Sequence, residues 1–256
     1  MKNLTFHHKL MLLLGVHFII LMYTFINDFS ISMLFLGLAI AKIFNAVGNE
    51  VALHRLWCHK SFKTSRWKEY VLHAFSTPLL YGTSITYAGV HRQHHAYADT
   101  DKDPHITRPW WKVVFYVRNE KYAIENKFVS DIIKDPVHRW MHKNYWKVNT
   151  ILLILSLLTL GITLTGWLLS YMIIHNFIAA GLVNVLGHRP EYGSRPFATN
   201  DNSANNTFLK WLTWNEGYHN HHHHNPGSYT YVTKKGQFDF PAILIEKFFM
   251  ITPAKL

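Results

Sequence analysis

Residues 151–187 read ILLILSLLTLGITLTGWLLSYMIIHNFIAAGLVNVLG, without one Asp, Glu, Lys or Arg. A helix crosses the hydrocarbon core of a bilayer with roughly 20 apolar residues. This stretch is too long for one crossing and suits two, with a turn near Gly161 to Gly166. Two more apolar stretches stand near the N-terminus: LMLLLGVHFIILMYTFI at 10–26, and one beginning ISMLFLGLAIAK at 31. Only NDFS separates them, a tight turn. The expected fold is an all-α membrane protein in which residues 1–256 form a single integral-membrane domain. Four transmembrane helices, at about 10–26, 31–53, 149–165 and 167–187, make two hairpins. A cytosolic cap of helices comprises 54–148 and 188–256.

The chain carries 26 Lys+Arg against 15 Asp+Glu, a net charge of +11. Such a balance can signal nucleic-acid binding. Here the basic segments alternate with membrane-length apolar runs, which a nucleic-acid binder does not explain. Apart from Lys42, every Lys and Arg lies in 1–9, 49–149 or 188–256. The excess of Lys and Arg on the cytoplasmic side of membrane proteins places these three segments, and both termini, inside. No small-residue cleavage site follows the first span, so a cleaved signal is not expected.

The single cysteine, Cys58, excludes a disulfide within the chain and a thiolate metal cluster. Nineteen histidines remain, and most of them cluster: HRLWCH (54–59), HRQHH (91–95) and HNHHHH (219–224). The last lies inside EGYHNHHHHNPG, is internal and is interrupted by Asn220, so it is no purification tag. A further apolar stretch, 69–90, contains Pro78 and Gly82. One crossing there would put the second cluster on the opposite side from the others, so it is expected at the membrane surface.

Helical residues three and four apart share a face. His91, His94 and His95 meet that rule, as do His219, His222 and His223; His221 and His224 point elsewhere. His54 and His59 are five apart and diverge on a regular helix. Either the helix ends there, or the two serve different metals. His7, His8, His17, His73, His138 and His142 read as surface or internally satisfied histidines. With His221 and His224 set aside, the eight remaining imidazoles of the clusters exceed one four-coordinate zinc site and argue for two metals. Nitrogen-only ligation suits iron, zinc or copper.

With these motifs the sequence resembles the membrane-bound fatty acid desaturases, acyl-CoA (stearoyl, Δ9) branch. The resemblance rests on HRLWCHKSFKT (54–64), HRQHHAYADTDKDPH (91–105) and EGYHNHHH (216–223), with VNVLGH (183–188) and DNSANN (201–206) between them. It covers about residues 45 to 226. It implies a di-iron centre held by His54, His59, His91, His94, His95, His188, His219, His222 and His223, with Asn184 reaching iron through a water. No side-chain acid or base is implied beyond that centre. Ala46 and Lys42 occupy positions that line the closed end of the acyl tunnel in relatives. Tyr87 replaces a frequent Trp. Glu50, one helical turn before His54, either orients a ligand imidazole or is an interfacial charge. Arg92, with Lys60, Lys63 and Arg66, is a candidate contact for the phosphates of an acyl carrier.

The activity so implied is an O2-dependent, iron-requiring oxidoreductase. It places a cis double bond, at Δ9, in a saturated acyl chain carried on coenzyme A, a carrier protein or a lipid. No dinucleotide motif and no haem-binding segment is present. Electrons are therefore expected from a separate carrier, a cytochrome b-type haem protein or a ferredoxin, with its reductase. The rival readings are a di-iron fatty acid or alkane hydroxylase and a histidine-rich membrane metal carrier.

Overall fold

A computed structural model describes residues 5–105, 109–115 and 123–253. Helix α1 spans Phe6–Asn27, with the Thr5 hydroxyl accepting from the His8 amide at its start. Helix α2 begins at Ile31, capped by Ser30, and after Phe44 continues without a break as a π-helix over Asn45–Cys58. Helices α3 (Arg66–Ser76) and α4 (Ser84–Tyr97) follow, then the short α5 (Trp110–Val114). Helix α6 spans Pro136–Thr165 and runs through a π-turn, Gly166–Ser170, into α7 (Tyr171–Leu186). Three short helices complete the set: α8 (Thr207–Leu212), α9 (His219–His224) and α10 (Phe240–Leu244). A two-residue strand β1 (Phe62–Lys63) pairs antiparallel with β2 (Thr252–Pro253).

Among the described residues, three helical stretches are long and apolar enough to cross a membrane: Phe6–Asn27, Ile31–Cys58 and Pro136–Leu186. The third is not one rod. Gly161 has φ 71° and ψ 176°, a conformation open to glycine. The Ser156 and Thr165 hydroxyls approach to 2.9 Å, whereas nine residues of straight helix would separate them by about 13.5 Å. The chain therefore doubles back at the expected place. Both turns lie at one end of the bundle: the Thr163 hydroxyl donates to the Asp28 carboxylate at 2.6 Å, and the Trp167 indole donates to the Asp28 carbonyl. The helices overrun the predicted spans. α1 starts at Phe6 and α6 at Pro136, because capping residues and not apolar content set where a helix begins.

Segment 69–90 is not one continuous helix. Pro78 sits in a 3₁₀ turn, Thr77–Leu79, after α3. Leu80 and Gly82 then take positive φ. The Thr83–Thr86 capping box restarts the chain as α4. Both α3 and α4 pack on the π-helical part of α2. Gly48 makes that approach possible, since a Cβ there would collide with the Phe75 carbonyl. One apolar core surrounds this junction, with Val51, Leu53, Trp57, Phe62, Leu72, Ala88 and Ile245. A second joins α1, α2, α6 and α7 through Leu10, Leu14, Ala41, Tyr145, Met172 and Phe177.

Candidate metal centre

The π-helix resolves the spacing of the first histidine pair. In i→i+5 hydrogen bonding, residues five apart follow one another along a single face. The His59 amide donates to the His54 carbonyl at 3.0 Å, and the two rings lie 4.9 Å apart. The helix does end at Cys58, as one alternative held. Both rings enter the same group of possible metal donors. The same register moves Glu50 away from the role an α-helix would give it. Its near partner is Arg55, five residues on, with Nη2 to Oε2 at 3.1 Å, while His54 Nδ1 stays 3.7 Å away. Glu50 is fully buried, so it is not an interfacial charge either. Arg55 also donates twice to Asp239 and lies over the Tyr231 ring.

The other two clusters each divide between two neighbouring groups. One comprises His54, His59, His91 and His222; the other His94, His188, His219 and His223. Within each, the donor atoms all lie within 4.8 Å of one another. His95 joins the first, its Nε2 at 3.1 Å from that of His91 and 2.8 Å from that of His222. Residues four apart take the same side: His91 with His95, and His219 with His223. The residue between, His94 or His222, leans into the opposite group. All nine histidines implied by the resemblance thus converge, five in one group and four in the other. The groups adjoin, with the His95 and His223 rings stacked 4.3 Å apart. Gly187 allows the closest approach, since a Cβ there would meet the His219 ring at 2.6 Å.

The surroundings of these rings follow from motifs whose roles the spacing did not reveal. Asp103 and Asp99, in DTDKDPH, accept from His94 Nδ1 at 2.9 Å and from His188 Nδ1 at 3.1 Å. Asp201, which opens DNSANN, accepts from His223 Nδ1 at 2.7 Å. An ionised carboxylate only accepts, so each Nδ1 carries the proton and each Nε2 presents a lone pair to the centre. On the other group, the Tyr231 hydroxyl lies 3.2 Å from His54 Nδ1 and 3.4 Å from His222 Nδ1. Tyr231 escaped sequence reasoning because nothing local marks it. Ser203 and Asn205 of DNSANN hold the six-residue α9. Asn205 accepts from the Asn220 and His221 amides, and the Asn220 side chain binds Phe197 and Ser203 in turn.

A cavity opens on the centre. His54, His91, His219 and His222 line it with Asn184, Asn49 and Glu216, against an apolar wall that includes Leu10, Leu80, Val90, Val113, Ala180 and Val183. Asn184 thus faces the same space as His219 and His222. Glu216 touches Asn49 Nδ2 at 2.7 Å. Burial, then the neighbouring Glu50, pushes the Glu216 carboxyl well above the usual carboxylate range. Burial, reinforced by the other rings, holds His91, His95, His219, His222 and His223 well below the ordinary histidine value. They are neutral at pH 7, the form that binds metal.

The expected substrate contacts fare differently. Arg92 is engaged within the protein: it donates to the carbonyls of Trp57, Cys58 and Phe128 and grips Asp131 with both terminal nitrogens. Lys60 pairs with the same Asp131, and Arg66 with Asp135. These cations brace the cap, because carboxylates lie within reach that sequence distance concealed. Lys42 donates to the Trp211 and Leu212 carbonyls at the end of α8. It and the fully buried Ala46 are absent from the wall of this cavity. His221 packs beside Phe197 and Tyr231, and His224 stacks on Phe197. His8, His17, His138 and His142 bond to Thr5, Ser170, Ser84 and Thr83. His73 stacks on Trp57. His7 departs from its expected place and lines the cavity.

The donor set fits two transition-metal ions. The buried Nε2 atoms of His59 and His223 have no partner among the described residues, an orphaning that native interiors rarely tolerate.

The fatty acid desaturase family model matches residues 29–235. The chain is 31% identical over 214 residues to an sn-1 stearoyl-lipid 9-desaturase of Anabaena variabilis, covering 82% of this chain and 78% of that one. It is 32% identical over 225 residues to an sn-2 palmitoyl-lipid 9-desaturase of a Nostoc strain, covering 82% and 74%. Over 205 residues it is 32% identical to an acyl-CoA C20 Δ5-desaturase of Anemone leveillei, covering 77% of this chain and 64% of that relative. With the family model matching residues 29–235, which include every histidine cluster, the chain belongs to the fatty acid desaturase family.

Proposed function

We propose that this oxidoreductase is a di-iron, O2-dependent desaturase that places a cis double bond at Δ9 of a saturated acyl chain. The observation that carries the reading is the convergence of nine imidazoles as two adjoining groups, with His54, His91, His219 and His222 among them lining an apolar cavity. His54, His59, His91, His95 and His222 would hold one iron. His94, His188, His219 and His223 would hold the other, with Asn184 acting through a water. When bound, the pair supplies the oxidising power toward an unactivated methylene that no side chain possesses.

The protein's own contribution is placement. The apolar wall takes acyl methylenes and excludes water, so that one carbon pair lies against the imidazole face. O2 accepts the two hydrogens removed, two electrons and two further protons, and leaves as two waters. The electrons come from a separate haem or iron–sulfur carrier. The four-crossing topology, with both termini and the centre on the cytoplasmic side, follows from the distribution of Lys and Arg. Two of the relatives named above are acyl-lipid enzymes by name and one an acyl-CoA enzyme, which supports a lipid or coenzyme A carrier.

Expression in a host that lacks the activity, with mass-spectrometric location of new double bonds, tests the reading. A Δ9 cis bond that disappears with His222→Ala is the expected result. A hydroxylated chain identifies the rival monooxygenase instead.

A further inference from the structure

The two histidine groups stand on unlike supports. In the group of His94, His188, His219 and His223, three of the four rings turn Nδ1 toward a carboxylate. Those carboxylates are themselves fixed. Asp103 accepts the amides of Asp99 and His105, Asp99 that of Asn202, and Asp201 that of Ser203. Among the described residues, no carboxylate oxygen comes within hydrogen-bonding distance of the other group. Its nearest is Glu50 at 3.7 Å from His54, already committed to Arg55. The support there is one neutral phenol, Tyr231, shared by two rings. A carboxylate behind an imidazole fixes its orientation and makes its far nitrogen a stronger donor, which a neutral hydroxyl does far less.

We propose that the two metal positions are unequal, the group backed by Asp99, Asp103 and Asp201 holding its ion more tightly than the group backed by Tyr231. This rests on the two-iron reading above. These aspartates are positioning residues, acting through the imidazoles they hold. The structure thus separates an anchored metal position from an exchangeable one.

The test is a titration of the full-length purified protein, stripped by chelator and refilled anaerobically with ferrous iron alone. Two steps of one ion each are expected, and Mössbauer spectra at one equivalent should show a single quadrupole doublet. Asp103→Asn should weaken the tighter step about 10- to 100-fold and leave the other unchanged, with Asp103→Glu recovering part of the loss. Tyr231→Phe should leave the tighter step in place. Should Asp103→Asn fail to fold, Asp201→Asn carries the same expectation. Two ions bound with equal affinity, or both steps weakened alike by Asp103→Asn, would overturn the inequality while leaving two irons intact. Fewer than two ions per chain would overturn the two-iron reading and this proposal with it.

Discussion

The first and third histidine clusters reach the same centre by opposite means. His54 and His59 ride on the end of a helix 28 residues long, whose π-helical register sets their direction. Behind them Glu50, Arg55 and Asp239 form a buried ionic cluster. His219, His222 and His223 ride on six residues, far too few to hold a helix alone in water. Their direction is set by side-chain amides, chiefly Asn205 of a neighbouring loop and the helix's own Asn220, which turns to bind that loop. One cluster is positioned by backbone geometry and locked by charge, the other by a polar network. The lesson is that similar histidine motifs need not share a cause of rigidity, and that they should fail differently.

The largest failure is expected at the ionic lock. Arg55→Met leaves Glu50 and Asp239 buried without a cation. Removing one partner of a buried pair costs about 3–5 kcal/mol, so a large fall in the thermal midpoint should appear before any assay. Replacing Glu50, Arg55 and Asp239 together by apolar residues of similar volume should recover much of it. If Arg55→Met alone is as stable as the parent chain, charge does not lock this cluster.

Asn205→Ala deprives two amides at the start of α9 of their acceptor, a loss of about 1–3 kcal/mol. The effect should be local. Hydrogen exchange should quicken in 219–224 and metal content fall, with exchange over 45–58 unchanged. Uniform loosening of both segments would erase the contrast.

Acidification strikes the second and third clusters. The rings of His91, His95, His219, His222 and His223 have folded-state values well below the 6.5 of an unfolded histidine. Below about pH 6.5 the unfolded chain therefore binds more protons, and stability falls as pH falls. Bound metal also competes with protons for the same nitrogens. Metal release on lowering the pH, measured by equilibrium dialysis, should accompany the loss of stability; retention of metal through pH 5 would contradict it. The smallest effect is expected for His224→Ala, an exposed residue outside both groups. Metal content and activity should match the parent within error, and a metal-depleted variant would show that the histidine register is wrong.

Much of this was legible in one dimension. Uncharged runs and the placement of Lys and Arg marked the hairpins, since bilayer thickness imposes a length that composition alone can meet. Spacing of three and four selected His219, His222 and His223 and set aside His221 and His224, because α-helical periodicity is local. His188 and Asn184 came from the resemblance to a known family, not from spacing. Hidden from the sequence were the π-register that joins His54 to His59 and turns Glu50 to Arg55, the division of each box between two groups, and Tyr231 beneath one of them. Arg92 and Lys42 looked available to a substrate only because Asp131 and the end of α8 are distant along the chain. Periodicity and hydropathy are properties of neighbours in sequence, so the residues themselves determined them. Which nitrogen meets which carboxylate depends on contacts between residues up to 184 positions apart, and only packing in three dimensions decides those.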